Sequence, residues 1–540
     1  MQLAIQKKTG TYSETLETVG IGSLLSELGF GNVTIKDQGS QFELSTSGDP
    51  EPTLWPEAIA AGYPYIWESS KESKPELGGT ILDYEGEKIK RDAARKASKK
   101  SKGQLEQLDI EVAPEPAPEL TAATMLASMR KGWNADRDLA KWIAANPTVT
   151  SSWIQAALGI TNVSFPHPPD ISNTQILNPI AGKGVNAAKT EARSAGSLPD
   201  HLIDPFSEWM KMRGLWEAML LYRSGEDFKF FVIEPGDISF AHIRAIRTEL
   251  SKMALWGGIR LDINATLHCA RLLLGRLGVG GLGRRTPRKV IRGLRQAYFK
   301  SLGTAAALMN DAMLPLPDWF AVHDEDDLEC YRQIISEIID KGGCLNSLDE
   351  KHSDDGLILQ AFREWLLTGH LSDLLEFHHC FAAHLMQRYA SKEWVRPFGT
   401  ENLSKLLTKS FREKNVIEII EDAGFQSVAR AIRNATIYAV SLPNSKREVR
   451  FGLAQKWKQK IKSGDPEFAA TLAEFVQDYN WETAHKLKGA GHMVATGELD
   501  SLLRLVQSRG AEIVGSLLLA YGFAKAPKVD SAEPDAEAAA

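Results

Sequence analysis

Apolar residues recur along this chain with two different periods, and the change from one to the other marks its organisation. Near the start, NVTIKDQGSQFELST (residues 32–46) alternates apolar and polar positions around a Gln-Gly-Ser break, the pattern of a two-stranded hairpin. Further on, PFSEWMKMRGLWEAMLLY (205–222) reads as helix, and FKFFVIEP (228–235) as a buried strand. From about residue 396 the pattern becomes almost wholly helical. Phe468, Leu472, Phe475, Val476 and Tyr479 share one face behind Asp465-Pro466, which predicts an N-cap and a first-turn proline. Thr496 is expected to cap a helix burying Leu499, Leu502, Leu503 and Val506 before Gly510, and Ile513, Val514, Leu517, Leu518 and Tyr521 line one more.

Each of these stripes must find a partner, so an antiparallel helical bundle is the economical arrangement for the C-terminal part. The expected class is α+β: a mixed N-terminal and central region followed by that bundle. The expected divisions are a small α+β unit over 1–68, a charged linker or insertion over 69–118, a main α+β body over 119–395, the bundle over 396–525 and a disordered tail over 526–540.

Composition narrows the class. The 540 residues are 43% hydrophobic and 24% charged, enough to build large cores, and the start of the chain lacks an export-signal pattern. No run of about 18 apolar residues occurs, so a cytoplasmic protein without a membrane partner is expected. Cys269, Cys330, Cys344 and Cys380 are scattered without a CxxC pair, which gives neither a disulfide framework nor a thiolate zinc site.

Charge changes the picture more. The net charge is −6, yet residues 284–300 carry Arg284, Arg285, Arg288, Lys289, Arg292, Arg295 and Lys300 with no acid among them. Residues 446–462 carry Lys446, Arg447, Arg450, Lys456, Lys458, Lys460 and Lys462 against Glu448 alone. Cationic strips on an acidic body are the footprint of a polyanion-binding surface. Thr286-Pro287 is expected to open a helix placing Arg288, Arg292 and Arg295 on one side, near Tyr298 and Phe299. Lys405, Lys409 and Arg412 repeat at helical spacing and add to the basic surface.

Catalytic motifs fare worse. Gly278, Gly280 and Gly283 form a GxGxxG string, but the preceding segment reads as helix rather than strand, and no acid lies about twenty residues on. Gly182-Lys183-Gly184 is followed by Val185 where a phosphate loop needs Ser or Thr. Its glycines still permit close approach, with Lys183, Asn186 and Lys189 in reach of phosphate or base edges. His370, His378, His379 and His384 cluster near Asp373 and Cys380, so a metal-dependent phosphohydrolase stays an alternative, although no HExxH or thiolate set accompanies them. His323-Asp324 and the acids after it read as an acidic loop. No cofactor, metal site or catalytic residue is assigned.

The runs SVARAIRNATIYA, VRFGLAQKWKQK, FAATLAEFVQDYNWETA and ELDSLLRLVQSRGAEIVGSLLLAYGFAKAP resemble the end of large-subunit proteins of type I CRISPR effector complexes, the Cascade family. The NPIAGKGVNAAK string, with Trp209 and Trp216, is similar to the central region of members near subtypes I-A, I-B and I-D. The resemblance covers roughly residues 170–525. It implies a non-enzymatic subunit of a ribonucleoprotein that sits by the guide RNA, reads the protospacer-adjacent motif in duplex DNA, stabilises the R-loop and docks a helicase-nuclease. The implied partners are guide RNA, target double-stranded DNA with its displaced strand, and the backbone, handle-binding and small subunits. Lys183 and Asn186 carry over from the matching string. Lys189, Arg284, Arg285, Arg288, Arg292, Arg295, Lys446, Arg447, Arg450, Lys456 and Lys460 are assigned by charge and spacing. A stand-alone single-stranded nucleic-acid-binding protein remains a second alternative. Whether the bundle is also made separately from an internal start near Met386 is left as a conjecture.

Overall fold

In the computed structural model, the description covers residues 1–48, 138–160, 204–224, 227–253, 255–301, 306–411, 415–441, 447–489 and 491–526. It also takes in short pieces at 65–67, 81–83 and 177–179 and the single residues 73, 86 and 89. Most of 69–118, and all of 527–540, lie outside the described residues, and with them the expectations of a linker and a disordered tail. The chain is α+β with a helical C-terminal region, and it divides into two compact units. The first comprises 1–256, 268–276 and 287–316; the second comprises 257–267, 277–286 and 317–540.

The first unit is built on two antiparallel sheets. Strand β1 (Gln2–Gln6) is followed by helix α1 (Ser13–Glu27) and by the hairpin β2 (Gly31–Asp37) and β3 (Gln41–Ser47). The hairpin falls where alternation placed it, with Gly39 taking the left-handed conformation its turn requires (φ 90°). A pair of short parallel strands, β4 (Tyr65–Trp67) and β5 (Ile81–Asp83), follows. Next come helices α2 (Pro147–Ala157) and α3 (Pro205–Ala218). The helical pattern of 205–222 stops at Ala218, because Met219–Ser224 forms strand β6 instead. Strand β7 (Asp227–Pro235) is the expected buried strand, and β8 (Asp237–Ser239) leads into α4 (Phe240–Ser251). The first sheet has the order β1-β3-β2-β8, so the opening hairpin takes its fourth strand from residue 237 onward.

Helix α5 (Ile259–Leu282) precedes a single turn, α6 (Pro287–Val290). Strands β9 (Ile291–Ser301) and β10 (Ala306–Pro315) then complete the second sheet, in the order β10-β9-β7-β6. Here the structure corrects the expectation of a helix through Arg288, Arg292 and Arg295. Ile291, Tyr298 and Phe299 suit a pleated surface, and β9 is hydrogen-bonded on both sides, to β7 and β10.

Two glycines set the packing of the first unit. A Cβ on Gly20 would lie 1.8 Å from the Met210 carbonyl oxygen, and one on Gly214 would lie 1.9 Å from that of Leu16. Only hydrogen at these positions lets α1 and α3 cross so closely.

The second unit is mainly helical: α7 (Glu325–Ile339), α8 (Ser353–Thr368), α9 (Leu371–Ala390), α10 (Thr400–Ser410), α11 (Val416–Ile420), α12 (Ala423–Ala435), α13 (Ile437–Ser441), α14 (Leu453–Ser463), α15 (Asp465–His485), α16 (Thr496–Arg509) and α17 (Ala511–Gly522). Trp319 stacks between Tyr331 and Trp365, with ring centroids 4.9 and 5.3 Å away. Helix α17 is buried almost throughout; Val514, Leu517 and Leu518 are fully covered, and Gly515 and Gly522 admit Ile461 and Ile432. The capping expectations shift by one residue. Asp465 is the first residue of α15 rather than its cap, and its carboxylate accepts from the Ala511 N–H at 2.6 Å, at the start of α17. Thr496 is likewise the first residue of α16, and Glu498 accepts from the Ala495 N–H at 2.8 Å. No helix among the described residues is long and apolar enough to cross a membrane.

Candidate nucleic-acid interface

The strip at 284–300 divides into cations used inside the first or second unit and cations left outside. Helix α5 ends at Gly283, in the left-handed region (φ 58°), and Arg284 follows in the same region (φ 61°) with its side chain exposed. Arg285 folds back, donating from Nε to Leu282 O at 2.8 Å and from Nη2 to Gly281 O at 3.2 Å. That places a guanidinium on the negative end of the helix, where it satisfies terminal carbonyls. The GxGxxG string therefore ends a helix, with Gly278 interrupting it (φ 56°, ψ −168°), and does not follow a strand.

Arg288 donates from Nε to Leu316 O at 2.7 Å. The next two arginines meet carboxylates. β9 contributes two residues, Arg292 and Gly293, where β7 advances by one, a bulge at Glu234/Pro235. Arg292 Nε lies 3.2 Å from Asp37 Oδ2, and Arg295 Nε 3.8 Å from Glu234 Oε2. Lys7 joins both acids, at 2.8 Å from Asp37 and 3.6 Å from Glu234, and Thr15 Oγ1 donates to Glu234. Burial raises the Glu234 pKa, opposed by Arg295, the Thr15 hydroxyl and Lys7. Arg292 and Arg295 are thus bound into an internal charge network. Lys289 and Lys300 are exposed, and, like Arg284, they have no acidic partner within 4 Å among the described residues.

The second strip divides the same way. Lys446 lies outside the described residues, as do Lys183, Asn186 and Lys189. Arg447 is buried, donating from Nη1 to Thr483 Oγ1 at 3.0 Å with its guanidinium 4.4 Å from the Tyr479 ring centroid. Arg450 covers the Phe475 ring at 4.7 Å and lies 3.9 Å from Glu482; burial lowers its pKa against the pull of that acid. Lys456 pairs with Glu474 at 3.1 Å and Lys458 with Glu376 at 2.6 Å. Lys460 and Lys462 remain on α14 without an acidic partner within 4 Å among the described residues. At the start of α14, a groove of about 530 Å³ is lined by Arg450, Lys456 and Lys486 but also by Glu448, Glu474, Asp478 and Glu482, so its charges nearly balance. Elsewhere in this unit Lys405 pairs with Glu401 and Lys409 with Asp327, while Arg412 is outside the described residues. Arg433 is buried and donates to Ala524 O and Tyr521 O, closing the end of α17.

The histidines are spread through the packing of α9. His378 is buried and pulled down to about 3, and His379 to about 4, both chiefly by burial. His384 Nε2 lies 3.5 Å from Asp355, and exposed His370 lies 3.8 Å from Asp373. Among the described residues no three His, Cys, Asp or Glu side chains gather as a metal site would need. Asp324 caps α7 through the Asp327 N–H, so the acids after His323 form the first turn of a helix rather than a loop.

Sequence reading missed the exposed aromatics. Trp394 is 62% exposed and Trp481 57%, the latter stacked on His485 at 4.6 Å. The signal for Trp394 was present in Lys392-Glu393-Trp394-Val395-Arg396, an aromatic flanked by cations two residues to each side. No protein-family model matches the chain, and no curated protein matches it either.

Proposed function

We propose that this chain is a non-catalytic, nucleic-acid-contacting large subunit of an RNA-guided DNA surveillance complex of the type I CRISPR kind, acting in the cytoplasm. It contacts guide RNA and the target duplex with its displaced strand, helps read the protospacer-adjacent motif and stabilise the R-loop, and leaves cleavage to a separate helicase-nuclease. Helix α14 is the observation that carries this reading. It buries Leu453, Ala454, Trp457 and Ile461 on one side, while its polar positions hold Lys456, Lys458, Lys460 and Lys462 without a carboxylate. Two of those lysines are neutralised within the unit, and Lys460 and Lys462 are left for an outside anion. Such a division of labour has base pairing choose sequence while protein neutralises backbone.

The test is salt-dependent binding of single-stranded DNA by the full chain and by Lys460→Gln/Lys462→Gln. Each lost phosphate contact lowers the logarithmic salt slope by about 0.7, so the double variant should flatten it by about 1.4. An unchanged slope overturns the assignment of α14. Copurification with a short RNA of uniform length, when the chain is expressed with its partner subunits, is expected. Equally tight DNA binding with and without guide RNA would instead mark a stand-alone single-strand binder.

A further inference from the structure

At the end of α9 the chain makes a tight, well-bonded turn. Lys392, in the left-handed region (φ 60°), donates its N–H to Tyr389 O at 3.0 Å, and Glu393 donates its N–H to Arg388 O at 2.8 Å. Arg388 pairs with the Glu393 carboxylate at 2.7 Å, and the Tyr389 hydroxyl donates to Val395 O at 2.7 Å. Between these anchors the Trp394 ring lies on the Tyr389 ring, with centroids 5.2 Å apart and planes within 18°. Tyr389 is buried, yet Trp394 is the most exposed tryptophan among the described residues. An indole held in place by its neighbour while most of its surface meets water leaves apolar area uncovered without the flexibility that usually accompanies such exposure.

Its surroundings are cationic. Lys392 and Arg396 are exposed, two positions to either side. Arg396 Nη1 donates to Gly342 O at 3.2 Å, which brings exposed Lys341, the residue before Gly342, into the same surface. Glu393, the acid inside the turn, is already paired with Arg388.

We infer that Trp394 is a nucleobase-stacking platform for single-stranded polynucleotide, with Lys392, Arg396 and Lys341 meeting the adjoining phosphates. A base offers a flat π-face that covers the indole, and its backbone supplies anions on both sides of it, whereas an acidic peptide would engage the cations and leave the ring bare. Bases in a duplex are not available for such stacking. This inference rests on the proposed nucleic-acid role and adds a site to it.

Binding of labelled oligo-dT, oligo-dA and oligo-rA by the full chain tests it. Trp394→Ala should weaken binding by about 5- to 150-fold, the range of one lost base stack, with an unchanged salt slope because no phosphate contact is removed. Trp394→Phe should recover most of the affinity. Lys341→Gln/Lys392→Asn should do the reverse, lowering the salt slope by about 1.4; asparagine tolerates the left-handed backbone at 392. The DNA and RNA arms separate the two sources of the strand. If Trp394→Ala binds oligonucleotide as the wild type does, the platform is refuted while the nucleic-acid role stands. If the wild type binds no oligonucleotide, both fall. Loss of polyglutamate binding alone in Trp394→Ala would assign the turn to an acidic protein and overturn the inference.

Discussion

Arg292 on β9 and Asp37 at the end of β2 are 255 residues apart in sequence and 3.2 Å apart in space, with Lys7 bonded to the same carboxylate. The pair ties the two sheets of the first unit together through a residue expected to contact phosphate. Arg292→Gln is therefore expected to lower stability by about 0.5–1 kcal/mol, the range of a half-exposed ion pair, read as a small fall in Tm. Nucleic-acid affinity and its salt slope should stay at wild-type values. Arg284→Gln/Lys289→Gln, which removes two outward cations, should show the opposite pattern: an unchanged Tm and a flatter slope. A flatter slope in Arg292→Gln would return that residue to the binding surface.

The close crossing of α1 and α3 predicts intolerance at two positions. Gly20→Ala or Gly214→Ala puts a methyl group inside a carbonyl oxygen and forces the helices apart, at a cost of about 1–3 kcal/mol each, the range for overpacking. Gly280→Ala meets open space and serves as the control; it should be neutral or slightly stabilising. Thermal unfolding of the three variants decides the matter, and equal midpoints would rule out the tight crossing.

His378 and His379 make stability depend on pH in a known direction. Their folded pKa values, about 3 and about 4, lie below the unfolded value of roughly 6.5. The unfolded chain then binds more protons between those limits. Their contribution is complete above about pH 6.5 and is lost as pH falls toward 4, by up to about 1.4 kcal/mol per pH unit for each histidine. Urea unfolding at pH 7 and pH 5 should show this loss. His378→Gln should reduce it by about one proton's worth, and an unaltered pH dependence would mean that His378 is already charged when folded.

Where local pattern decides structure, the sequence was legible. The β2–β3 hairpin, β7 and the helices α15, α16 and α17 lie where alternation, a continuous apolar run or helical spacing put them, because each pattern is strong over its own short window. The strip at 284–300 misled for a physical reason. Arginines at 288, 292 and 295 match helical spacing, but a bulge at Arg292 and Gly293 lets both later arginines address one acidic cluster from a strand. The acids that claim them, Asp37 and Glu234, are remote in sequence, and no window around residue 292 contains either. The same limit applied at Asp465, whose carboxylate serves the helix beginning at Ala511 rather than its own. Charge counting showed that cations were abundant; only the three-dimensional pairing showed which are already engaged.

Near the end of the described chain, Lys525 donates its N–H to Phe398 O and accepts from the Thr400 N–H, a backbone bridge that fastens the last segment to the entrance of α10. During synthesis the helices from 400 onward emerge first, but this clasp cannot form until residue 525 has left the ribosome. Buried α17 likewise follows α10 to α16 in the chain. Until then the helices from α10 to α16 lack the partner that covers part of their apolar stripes.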